Sequence, residues 1–192
     1  MAAYLFLIFA VLTRVLPHPD WLNFTAVGAM LIYFGARRSW REIAAPLAAL
    51  IAVDYCLTVF VYHYSFHPQA YLLTWAWYAM AFALGRILLH ARTSFLRVAA
   101  SVFLGPTSFF VLSNFAVWVM DSTGITYARS LGGLVTCYVA ALPFYRNDLL
   151  STGFFLALAF GIPALVRRTA EARALGDRIP APVRVPIRTP RA

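Results

Sequence analysis

Residues 130–166 read SLGGLVTCYVAALPFYRNDLLSTGFFLALAFGIPALV, an apolar stretch interrupted by Arg146-Asn147-Asp148 just after Pro143. A helix needs about 20 mostly apolar residues to cross a bilayer. How this stretch divides therefore decides how often the chain crosses and on which side it ends. Proline lacks a backbone donor, and polar side chains can satisfy the groups it leaves free. The sequence thus separates a run over 130–145 from another over 148–166.

Upstream, further apolar runs fall at 2–16, 24–36, 43–62, 70–90 and 97–120, which makes seven segments in all. The 192 residues are 62% hydrophobic and 12% charged, with a mean hydropathy of +0.74. A soluble domain carries about a quarter charged residues, so the chain is expected to be an all-α integral membrane protein. Short connectors, Pro17 to Asn23, Arg37 to Glu42, His63 to Gln69 and Met120 to Ser130, make neighbouring helices antiparallel. The apolar start, Ala2 to Leu16, has no basic residue before it and no small-x-small cleavage pattern after Arg14. It is expected to be the first span and not a cleaved signal.

All sixteen cations are arginine, against seven acids, for a net charge of +9. They stand at the ends of apolar runs and form no patch interleaved with aromatics, so they read as topology signals and not as a nucleic-acid surface. The second connector holds Arg37, Arg38 and Arg41, and the fourth region holds Arg86, Arg92 and Arg97, while the first and third connectors hold none. Cytoplasmic loops are enriched in arginine, which places the amino terminus inside a cell's inner (cytoplasmic) membrane. A basic tail begins at Arg167-Arg168. Seven full crossings would put that tail outside. The expectation is therefore a six-helix bundle over 1–166, both termini cytoplasmic, with 130–145 an additional half-helix that dips into the outer leaflet or lies against the bundle; seven full spans are the alternative. Residues 167–192, with four prolines after Thr169, read as a disordered basic tail.

Charged groups within a span are costly, so Asp54, in Ile51-Ala52-Val53-Asp54-Tyr55-Cys56, is a candidate ligand-binding group. Its alternative role is to pair with an arginine such as Arg14 or Arg86 and hold helices in register. Phe110, Asn114 and Trp118 recur at one-turn intervals and share a face. An amide between two rings suits a flat ligand, and the same residues would equally serve helix–helix bonding and interfacial anchoring. Asn23 and Tyr71 sit at the outward connectors and, with Tyr138, complete the candidate ligand-binding set. His63-x-x-x-His67 has the spacing of a helical metal pair, but Pro68 and a loop setting speak for interfacial anchoring instead. Cys56 and Cys137 show no metal or redox spacing. No nucleophile elbow, phosphate loop, His-Glu-x-x-His or paired carboxylates occur. The expected function is accordingly not enzymatic, and no cofactor or metal is implied.

Four stretches together resemble a known pattern: Arg14 to Pro17 leading into Asn23 to Val27, the Pro46 to Asp54 span, Phe109 to Trp118, and Gly133 to Phe144. Over about residues 10 to 166 they resemble an uncharacterised bacterial membrane family, a domain of unknown function. That family is similar to the S components of energy-coupling-factor (ECF) vitamin transporters. The resemblance implies a six-helix bundle with a pocket open to the outside for a small nutrient, vitamin or cofactor-like. It also implies docking to an energising membrane module. The first helix lacks the small-x-x-x-small surface used for such docking; Ala44, Ala45, Ala48 and Ala49 offer close packing on a later helix instead. The partners expected are the lipid bilayer, a small-molecule ligand and either an energising module or a second copy. The alternative function is a non-transporting scaffold or assembly subunit.

Overall fold

The computed structural model describes residues 1–16, 23–121 and 124–176. The described residues form six α-helices: α1 (Ala2–Val15), α2 (Val27–Arg37), α3 (Ala44–Cys56), α4 (Pro68–Leu89), α5 (Phe95–Met120) and α6 (Leu131–Gly176). A 3-10 turn, Trp40–Ile43, leads into α3, and a π turn, Leu57–Val61, leaves it. Four helical stretches are long and apolar enough to cross a membrane: Trp40–Val61, Pro68–Leu89, Phe95–Met120 and Leu131–Ala174. This supports a membrane protein. α1 and α2 are apolar but shorter.

The half-helix expected over 130–145 does not form. Those residues and 148–166 belong to one continuous helix that passes through Pro143 and Pro163 and runs on to Gly176. At about 1.5 Å per residue its 46 residues extend roughly 70 Å, more than twice the hydrocarbon thickness of about 30 Å. Seven apolar segments thus become six helices. The physical reason is packing: the first half of α6 lies antiparallel along α5, with Phe110 against Tyr145 at 4.7 Å and Cys137 donating to Asn114 O. A proline within an apolar helix is tolerated where neighbouring groups satisfy the backbone it leaves free, and Pro143 itself is exposed. Helix α6 starts where Ser130 Oγ accepts from Gly133 N–H at 3.2 Å, the capping that serine is suited to. Residues 177–192, most of the expected disordered tail, lie outside the described residues, as does 17–22 of the first connector.

At the centre stands α2. Every residue from Val27 to Ala36 is buried, as expected of a helix apolar on all sides. It packs most closely on α4, where Gly35 and Gly85 let the backbones meet. A Cβ on Gly85 would lie 1.9 Å from Ile32 O, and one on Gly35 would lie 2.0 Å from Phe82 O. Close approach through glycine is a common way for apolar helices to associate in lipid. By contrast, Ala44 and Ala48 of α3 are exposed. Rings fill the remaining core around α2: Phe34 with Tyr4 and Phe82, and Tyr33 with Phe6 and Phe160.

Two further facts position the site. First, α2 begins halfway up the bundle. Gly28 faces Trp77, midway along α4, and Trp77 Nε1 donates to Gly105 O and Ser108 Oγ, midway along α5. Second, Arg37, Arg38, Arg86 and Arg97 gather at one end. Arg86 donates to Arg38 O, Arg97 to Leu88 O, and Arg37 lies over the Phe160 ring at 5.2 Å.

Candidate functional site

Above the start of α2 the bundle holds two polar centres, one between α1, α3 and α4 and the other between α5 and α6. In the first, Asp54 is 1% exposed. Arg14 reaches its Oδ1 through Nη2 at 2.6 Å and Nε at 3.1 Å, while Trp75 Nε1 at 3.0 Å and Tyr78 Oη at 3.4 Å donate to Oδ2. Two donors on each oxygen use the acceptor capacity of a carboxylate. One turn on, Thr58 bonds back to Asp54 O and meets the Tyr71 hydroxyl. The Tyr71 ring stacks on Trp75 at 5.9 Å and on Phe66 at 5.2 Å. Asp54 is thus closed off, while the Arg14 side chain stays 29% exposed. Of the two roles open to Asp54, the structure fits the arginine-paired one, and Tyr71 belongs to its cover.

The second centre is a partly open cleft of about 220 Å³ between the second half of α5 and the first half of α6. Phe109, Phe110, Phe144 and Tyr145 supply rings, Asn23, Ser113, Asn114 and Asp148 supply polar groups, and Ala140, Ala141 and Cys137 leave the room. Asn23 and Tyr127 are the contributions from connectors. Asn23 adopts a left-handed conformation, φ 57°, which asparagine tolerates better than most residues. Tyr127 is held by Asp121, whose carboxylate accepts from the backbone N–H groups of Gly124, Thr126 and Tyr127.

Asn114 Nδ2 donates to Phe110 O at 2.7 Å, which leaves the amide oxygen as an acceptor. Tyr145 Oη bonds Thr107 Oγ1 at 2.9 Å and so ties the two walls together. Among the described residues Asp148 is the one acid of the lining, and no arginine or histidine joins it there.

Three of the seven residues expected from the sequence, Asn23, Phe110 and Asn114, therefore meet around one cleft. Tyr138 stands beside it: its hydroxyl donates to Val111 O at 2.8 Å and its ring backs Phe110 at 5.3 Å. Trp118 lies above, its Nε1 donating to Ala128 O at 3.0 Å with Arg129 over its ring. Asp54 and Tyr71 are in the other centre. The sequence reading used Asp148 as part of a helix break and overlooked it as a site residue. The signal was present nonetheless, because an acid inside an apolar run is suspect wherever it occurs. Among the described residues no three His, Cys, Asp or Glu side chains converge as a metal site.

A family model described as "Family of unknown function (DUF6580)" matches residues 1–175, and the chain belongs to that family. No curated protein matches the chain, and no solved structure does. Nothing in these comparisons links it to energy-coupling-factor S components or to bacteria.

Proposed function

We propose that this DUF6580 member is a multi-pass membrane protein that binds a small organic molecule, such as a nutrient, in the cleft between α5 and α6. The observation that carries the reading is the cleft itself: aromatic walls with a few converging polar groups, built from two helices and two connectors. Concave, mostly apolar pockets with few polar groups are the usual form of small-molecule sites.

The orientation follows from the arginines. Arg37, Arg38, Arg86 and Arg97 lie at one end of the bundle, and such an end faces the cytoplasm. With 130–166 inside a single helix, Arg167 and Arg168 return to that side without any half-helix. Six antiparallel helices then leave both termini cytoplasmic, and Asn23 and Tyr127 mark the outer mouth of the cleft. Kinship with S components is one version of this reading, in which a separate module would drive uptake.

A thermal-shift panel of vitamins, amines and cofactor fragments on the protein in nanodiscs tests the reading. Ala141→Trp, which fills the cleft, should abolish any shift found with the native chain. Stabilisation that survives this substitution would place the ligand elsewhere.

A scaffold role is favoured by a different observation, the closed Arg14–Asp54 centre, which locks α1 to α3 and α4 and leaves nothing for a ligand. Under that reading no compound shifts the melting curve, and the protein co-purifies with partner subunits.

A further inference from the structure

We propose that the cleft takes an organic ammonium ion, with Asp148 as its counter-charge and the rings of α5 and α6 as its walls; this rests on the cleft being a binding site at all. Three observations support it.

The first is charge. In a chain with sixteen arginines, the lining includes one carboxylate and no basic side chain among the described residues. Among the described residues the ion pairs are Arg14–Asp54 and Arg38–Glu42, so Asp148 has no arginine within 4 Å. Its neighbour Arg146 is two positions away, on a different helix face. A partly buried carboxylate without a counter-charge is expensive, and a cationic ligand would supply that charge.

The second is what stands behind the acid. Asp148 lies level with the first turn of α2, where Gly28 has no side chain. A Cβ there would stand 3.8 Å from Asp148 Oδ1 and 3.2 Å from Thr152 Oγ1. Thr152 is fully buried, with its side chain beside Asp148. Behind the cleft, Asp148 thus has a buried threonine and the backbone of α2 for neighbours, and no cation among the described residues.

The third is the character of the walls. Phe109, Phe110, Phe144, Tyr127 and Tyr145 offer ring faces, and Asn114 keeps its amide oxygen as an acceptor. Ring faces attract ammonium groups and repel anions. A bare divalent metal would instead require several oxygen ligands converging on one point, and Asp148 is the only carboxylate of the lining among the described residues. The class indicated is a small primary or methylated amine with an apolar body.

The test uses the full chain in nanodiscs and three probes of like shape: phenethylammonium, neutral 2-phenylethanol and anionic phenylacetate, titrated by calorimetry. The amine should bind about tenfold or more tighter than the alcohol, and the acid should not bind. In Asp148→Asn the preference should fall to within about twofold while alcohol binding persists. Should Asp148→Asn fail to fold, Phe110→Leu takes its place and should lower the amine-over-alcohol preference about threefold or more. Equal binding of amine and alcohol, or a preference that survives both substitutions, would overturn the ammonium reading. If alcohol binding is then lost in Ala141→Trp, the cleft remains a binding site for an uncharged ligand. If none of the three probes binds, the ammonium reading fails, and the wider panel decides the cleft separately.

Discussion

Asp54 and Asp148 are both acids in apolar helices, and their surroundings give them opposite roles. Asp54 is saturated by Arg14, Trp75 and Tyr78. Removing one partner of a buried pair leaves the other charge stranded, at about 3–5 kcal/mol. Arg14→Leu should therefore destabilise the bundle by about that much in a denaturant titration in mild detergent. Arg14→Leu with Asp54→Leu should recover most of the loss, because an apolar pair of similar volume costs little. A double variant as unstable as the single one would show that the pair contributes more than mutual neutralisation. Asp148, facing the cleft without a cation, should behave in the reverse sense. Asp148→Asn should raise stability by about 1 kcal/mol in the absence of ligand, the expected sign where a strained group is kept for function. A loss of stability would assign Asp148 a structural role. Asp54 was recognisable from its position in the sequence, but its partner was not: Arg14 is 40 residues away, and Arg86 was an equal candidate until the fold turned it toward Arg38 O.

At the scale of elements, α2 and α6 depart most from simple spans. The α2–α4 contact depends on the absence of two side chains. Gly85→Ala would place a methyl 1.9 Å from Ile32 O, a clash that only a shift of one helix relieves. The expected cost is about 3 kcal/mol, seen as a lowered thermal midpoint. An unchanged midpoint would mean that α2 and α4 are not so close. In α6, Pro143 interrupts the hydrogen-bond ladder of a helix that nonetheless continues. An interior proline costs up to about 3 kcal/mol in an isolated helix. With Pro143 exposed and the helix continuous around it, Pro143→Ala should be neutral or stabilise by about 1 kcal/mol. Marked destabilisation would instead mean that a break at 143 is needed. The sequence places Pro143 and the polar Arg146-Asn147-Asp148 side by side, and locally they read as a stop. What overrides them is the antiparallel contact with α5, which no local pattern encodes.

For the molecule as a whole, arginine placement and helix number make one joint prediction. In a Cys56→Ser, Cys137→Ser background, Ser65→Cys should react with an impermeant maleimide from outside intact cells. Ser39→Cys and Thr169→Cys should react only after permeabilisation. Labelling of Thr169→Cys together with Ser65→Cys would show an odd number of crossings. The membrane character, the helical class and the spacing of the arginines were determined by the sequence alone, since lipid solvation requires long apolar helices and flanking charges mark their ends. Only the tertiary structure decided that two apolar runs form one helix, that Asp54 is closed off by Arg14, and that Asn23, Phe110, Asn114 and Asp148 surround one cleft. Each of these depends on contacts between residues far apart in the chain. Helical periodicity says which residues share a face, but not which helix that face will meet.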